Sequence, residues 1–134
     1  MATATNLTVK KYDGTASVTY TVISGAPGDR LPAVYRNEAF AGIAGNRPVF
    51  TVSSKPVQNG KNARVVEAKL QYPELFTDST TGVTAVRLKD VISCASTIDL
   101  SGADTTHQET VAQFFNLCND PAMRAVFVSG FAPV

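Results

Sequence analysis

The chain holds few of the residues that covalent or metal chemistry needs. Its 134 residues include no tryptophan, one histidine and two cysteines. The single His107 stands at a predicted helix start, and the acidic residues are scattered without metal-ligand spacing, so neither a metal nor a cofactor is expected. Two cysteines argue against a disulfide framework. Cys94 and Cys118 each lie among apolar neighbours, so both are expected as buried structural thiols. Charge is also sparse: 17% of residues are charged and the formal net charge is +1. That excludes the strongly basic balance of a dedicated nucleic-acid binder and leaves any such contact to a local patch. No apolar run reaches membrane-spanning length. The first eleven residues lack the basic-then-apolar layout of a signal peptide, so folding in the cytoplasm without a membrane partner is expected.

Catalytic motifs are equally thin. No serine sits in a nucleophile-elbow context. Gly42-Ile43-Ala44-Gly45 superficially resembles a phosphate-binding loop, but no amphipathic helix follows it. The expectation is a protein that is not an enzyme and has no small-molecule substrate.

What is present is alternation. Hydrophobic residues make up 44% of the chain, enough for one folded domain over 1–134, with a β-sheet region at 1–100 and a helical region at 101–134. Residues 5–24 read as a hairpin, with Leu7 and Val9 facing Ala16, Val18, Tyr20 and Val22. Asp13-Gly14 is expected as a two-residue type I′ turn. Leu31 to Phe40 adds a strand or an irregular edge. From Val49 to Tyr72, Phe50 and Val52 alternate with Thr51, Ser53 and Lys55; Val66, Ala68, Leu70 and Tyr72 alternate with Glu67, Lys69 and Gln71. A polar turn around Val57 to Asn62 joins the arms. Pro73 to Val83 reads as an exposed loop, and strand character returns from Thr84 to about Thr97, with Asp90 on the apolar parity suggesting a bulge. Helix signals follow. Thr106 and Glu109 have capping-box spacing, and Val111, Phe114, Phe115 and Cys118 recur at helical intervals. Asp120-Pro121 starts a second helix, with Ala122, Ala125 and Val126 inward and Gly130 as its stop. Strands followed by two helices make an α+β fold: an antiparallel meander with helices segregated to one face.

If the arms and the Thr84–Thr97 strand are neighbours, Thr51, Ser53, Lys55, Lys69, Gln71, Arg87 and Lys89 line one polar surface. Its cations suit phosphates and its hydroxyls and amide suit unstacked bases, which makes RNA the leading partner. On spacing alone the ordinary solvated face of an antiparallel sheet explains the same row. The small polar loop Thr77, Asp78, Ser79, Thr80, Thr81, Gly82 and Val83 is equally open, as a contact loop or as an idle tip.

Over nearly its full length the chain resembles the coat proteins of single-stranded RNA bacteriophages, of the levivirus type. The resemblance rests on the N-terminal hairpin, on Val49-Phe50-Thr51-Val52-Ser53-Ser54-Lys55 leading into Gln58-Asn59-Gly60-Lys61-Asn62, and on Lys69-Leu70-Gln71-Tyr72-Pro73. The loop through Gly82, the Lys89-Asp90-Val91 strand and the two C-terminal helices continue it. The resemblance implies an intertwined homodimer whose helices pack on the partner's sheet, with Val111, Phe114 and Phe115 at the dimer interface. It implies assembly in a bacterial host's cytoplasm into an icosahedral virion capsid around single-stranded genomic RNA. It further implies that an RNA hairpin is bound to repress translation of the replicase. By position, Thr51, Ser53, Lys55, Lys69 and Gln71 match the family's RNA-facing residues, and Thr77 to Val83 matches the loop joining dimers around the shell's symmetry axes. That loop has no cysteine, so no disulfides between subunits are expected there.

Two departures favour packaging over hairpin reading. Glu67 sets a negative charge on the inward face, and Arg87-Leu88-Lys89-Asp90 lacks the aromatic ring that relatives offer for base stacking; Arg87 substitutes with its guanidinium plane. The alternatives are a dimeric RNA-binding protein that forms no shell, and a small enzyme with a pocket around His107 or Glu67.

Overall fold

The computed structural model describes residues 3–58 and 62–133. In chain order they form β1 (Leu7–Lys10), β2 (Ser17–Ser24), β3 (Ala33–Arg36), a short 3-10 turn (Ala44–Asn46), β4 (Val49–Pro56), β5 (Ala63–Thr77), β6 (Thr84–Asp99), α1 (Asp104–Asn119) and α2 (Pro121–Ser129). Two compact units result, Met1–Thr97 and Ile98–Val134.

In the first unit the strands keep their chain order across one six-stranded sheet. The pairings from β1 through β5 are antiparallel. Such a meander needs no crossover connections, and its longest link is residues 37–48 between β3 and β4. Register converts alternation into faces, because residues paired across antiparallel strands share a side of the sheet. Val22 pairs with Tyr35, Tyr35 with Phe50 and Phe50 with Leu70, which makes one apolar row across four strands. Beside it run Ala33, Val52 and Ala68. Tyr20, Ala33 and Tyr35 are buried, and Val18, Val22, Phe50, Val52 and Leu70 pack against them. Tyr35 and Phe50 meet as tilted rings with centroids 6.0 Å apart. Burial also raises the Tyr20 hydroxyl above its ordinary pKa.

Several local expectations change. The first hairpin does not turn on a two-residue type I′ loop. Lys11 donates its N–H to the Ala16 carbonyl at 2.9 Å and Gly14 donates to Lys11 at 3.0 Å, so four residues, Tyr12 to Thr15, make the reversal. Only Gly14 takes positive φ, at +70°. Asp13 stays on the ordinary side because its carboxylate accepts the N–H groups of Thr15 and Ala16, each at 2.9 Å. Those bonds hold the carboxyl below its usual pKa.

The Leu31–Phe40 segment supplies a true internal strand, β3, paired on both sides. β5 runs on to Thr77, which shortens the expected 73–83 loop to Asp78–Val83. Pro73 is tolerated there because it lies past the last β4–β5 pair, Val49 with Gln71, where no ladder bond on that side is lost. β6 runs as one strand through Asp90, and a register irregularity falls in β2 between Val22 and Ser24. The turn joining β4 to β5 is closed by Val57 donating to Ala63 at 3.0 Å; its centre, Asn59-Gly60-Lys61, lies outside the described residues.

In the second unit α1 begins at Asp104, two residues before the expected capping box, and Ala103 at its N-cap makes no side-chain bond. Thr106 and His107 already donate their N–H groups to the Ala103 carbonyl. Glu109 accepts from Gln113 at 2.6 Å instead of reaching back. An acidic residue at the first turn, Asp104, complements the helix dipole where the box was expected. α2 follows expectation closely: Asp120 caps it by accepting from Ala122 at 2.9 Å, and Gly130 ends it at φ +75° with its N–H on the Val126 carbonyl. Cys94 and Cys118 lie on β6 and α1, free and only half-buried, which corrects their expected burial.

Candidate nucleic-acid interface

The face opposite the apolar rows is polar, and the β4–β5 register assembles it. Thr51 lies opposite Lys69, Ser53 opposite Glu67, and Val49 opposite Gln71; Lys55, opposite Val65, takes the same side. Five of the seven expected residues, Thr51, Ser53, Lys55, Lys69 and Gln71, therefore share one patch two strands wide. Arg87 and Lys89 are exposed on β6. The hairpin closes with Thr77 and Thr84 hydroxyls 2.8 Å apart. Alternation from Thr84 groups Val86 and Leu88 with it and puts Arg87 and Lys89 on the other side of the strand. Both lie on β6, outside the two-stranded β4–β5 patch.

Register extends the polar side in the other direction, to residues that alternation alone did not single out. Thr51 pairs with Val34, and Arg36 with both Val49 and Thr21. On the N-terminal hairpin Thr8 pairs with Thr19, their hydroxyls 3.1 Å apart, and Lys10 with Ser17. The signal that finds them is strand parity carried across each pairing, which needs the register and not the sequence of one strand.

Part of the charge on this side is neutralised. Lys55 donates to Glu67 at 2.6 Å. Arg36 donates to Glu38 at 2.6 Å, and Arg47 binds the same carboxylate. The two guanidiniums, Arg36 first, hold the Glu38 carboxyl below its usual range. Lys69 has no ion pair among the described residues. The patch thus offers hydroxyls, one amide and one unpaired ammonium. Such a set can hold a phosphate and donate to or accept from base edges.

The expected contact loop is tightly built. Asp78 accepts the N–H groups of Thr80 at 2.7 Å and Thr81 at 3.2 Å. Its own carbonyl accepts from Gly82 at 2.8 Å, and its N–H reaches Val83 at 3.0 Å. Those amide bonds lower the Asp78 pKa. Gly82 sits at φ +70°, which a β-branched or bulky residue would resist.

The helical unit leaves its apolar stripe exposed. Val111 is 40% exposed, Phe114 49% and Phe115 57%, and neither helix buries any residue. Phe114 and Phe115 meet edge to face at 5.6 Å. Val86, Leu88, Val91 and Ile92 on β6 are exposed as well. So much open apolar surface exceeds what scattered surface residues explain.

No protein-family model and no curated protein matches the sequence. Solved structures do. A virus-like particle of Beihai levi-like virus 21 is similar over 99% of this chain and 98% of its own, with a TM-score of 0.81 and 15% identity. A virus-like particle of bacteriophage NT-214 gives 0.83 and 16% identity, covering 99% of this chain and 100% of its own. The capsid protein of bacteriophage GA gives 0.69 and 22% identity over 98% of both chains. From the first hairpin to the second helix, this chain has the levivirus coat-protein fold.

Proposed function

We propose that the protein is the coat protein of an RNA bacteriophage, working as an intertwined homodimer that closes into an icosahedral shell around single-stranded RNA. The observation that carries this reading is the fold likeness over 98–99% of the chain to proteins solved as virus-like particles or capsid. The open apolar surface supports it. Val111, Phe114 and Phe115 would be covered by the partner's sheet. β6 ends the sheet as a 16-residue edge, whose free backbone groups would pair with the same strand of a second copy. Obligate interfaces of this kind are large and apolar, and the isolated monomer is correspondingly unstable.

Dimers would then meet through the Thr77–Val83 loops. Each contact is small, and closure of the shell multiplies it. The polar face would turn inward, with Lys69 meeting phosphates and Thr51, Ser53 and Gln71 meeting bases. Arg87 and Lys89, exposed on β6, would add two further phosphate contacts. Hairpin binding and translational repression of the replicase would use this same face; with Glu67 on it and no aromatic ring at Arg87-Leu88-Lys89-Asp90, packaging is the stronger reading. The virion is then the protein's final location, reached after assembly in the bacterial cytoplasm.

Electron microscopy of the protein expressed in bacteria tests the proposal. Closed particles of uniform diameter are expected. Dimers that bind RNA but never form particles would point to the shell-less RNA-binding protein instead.

A further inference from the structure

The inward face has an acidic residue at its centre, an odd choice for a surface that meets RNA. Glu67 pairs across the sheet with Ser53 and lies two residues from Lys69 on the same side of β5. Its carboxylate accepts from the Lys55 ammonium at 2.6 Å, with both side chains about half exposed, 44% for Lys55 and 47% for Glu67. An exposed pair of this sort adds little to stability. Its effect on a polyanion is larger. A phosphate reaching Lys55 must displace a carboxylate already in place, and one reaching Lys69 feels the Glu67 charge well inside a Debye length.

We propose that Glu67 is an attenuator of sequence-independent RNA affinity: it neutralises Lys55 and leaves Lys69 as the cation of the row open to phosphate. This rests on the reading of the polar face as the RNA-facing side. Weak general attraction lets the hydroxyls of Thr51 and Ser53 and the amide of Gln71 contribute a larger share of the binding, because backbone contacts position a strand while base contacts discriminate. It also keeps a packaged strand able to leave the wall.

The charge change has a defined signature. Each phosphate neutralised on a single strand contributes about −0.7 to the slope of log affinity against log salt. Glu67→Gln releases Lys55, so the slope should steepen by about 0.7. Between roughly 50 and 200 mM salt the variant should therefore lose about 2.6-fold more affinity than the parent. The double variant Lys55→Gln, Glu67→Gln removes the pair with no net change and should return the parental slope.

The test titrates the full chain, freed of nucleic acid, with a short unstructured oligoadenylate across that salt range. The expected result is a steeper slope and tighter low-salt binding for Glu67→Gln, reversed in the double variant. An unchanged slope in Glu67→Gln overturns the proposal, as does a double variant as steep as the single one. Lys69→Ala separates this from the underlying reading. If the parent binds RNA and Lys69→Ala weakens it, the face is right and only Glu67's role is in question. A parent that does not bind RNA overturns both.

Discussion

If α1 packs against a partner as proposed, truncating Phe114 to alanine should weaken the dimer, and the size of the effect follows from the exposure of the ring. Burying a phenylalanine side chain fully is worth about 1.5–3 kcal/mol. In one chain Phe114 is still 49% exposed, so about half of that, roughly 0.7–1.5 kcal/mol, is left to be gained from a partner. Twofold symmetry counts the ring twice in each dimer, which makes about 1.5–3 kcal/mol and weakens the dimer constant roughly 10- to 150-fold. Sedimentation equilibrium of dissociated dimers over a wide concentration range reads this directly. Gln113→Ala is the control: Gln113 lies on the opposite side of α1 from Val111 and bonds within its own helix, to Glu109. It should leave the constant unchanged. Circular dichroism on both variants checks that α1 remains helical. A Phe114→Ala protein with parental helix content and a parental dimer constant would refute the claim that this stripe is an interface.

Acid should loosen the Asp78–Val83 turn. The Asp78 pKa lies below its ordinary value of 3.8 because two backbone N–H groups stabilise the carboxylate. The stabilisation is therefore complete above 3.8 and is lost as pH falls through the lowered value; hydrogen exchange at Thr80 and Thr81 should accelerate there and stay slow at neutral pH. Replacing Asp120 by alanine removes the cap on α2 and should cost about 1 kcal/mol, seen as a lower thermal midpoint. Lys69→Ala should weaken binding to any single-stranded RNA and make the salt slope shallower by about 0.7.

The sheet was legible because alternation is a local signal with two outcomes. Phe50, Val52, Ala68 and Leu70 carry the apolar parity in the sequence and share the apolar side in the structure. α2 was legible for a similar reason: Asp120, Pro121 and Gly130 each act within one turn of helix. What was misread depended on contacts beyond the local window. The Asp13 carboxylate takes two backbone N–H groups and makes the first reversal longer than Asp-Gly alone suggests. Pro73 looks like a strand breaker until the end of the β4–β5 ladder is known. Thr106 and Glu109 have the spacing of a capping box, but the helix starts before them.

The candidate site divides in the same way. Thr51, Ser53, Lys55, Lys69 and Gln71 came from parity within two adjacent strands, and the register keeps them together. Arg87 and Lys89 lie on the next strand, β6, and their place beside the patch depends on how β6 meets β5, which parity within one strand does not carry. The negative charge of Glu67 was visible in the sequence. Which lysine answers it was not, since Lys55 is twelve residues away along the chain and meets it only through the hairpin.

Copies of this chain, as proposed, close around RNA. Sedimentation velocity of the purified protein, followed at both protein and nucleic-acid absorbance after ribonuclease treatment, tests it most directly. One fast boundary is expected, uniform in size, that carries protein and protected RNA together. Slow protein boundaries alone, at every salt concentration and with RNA added, would contradict it.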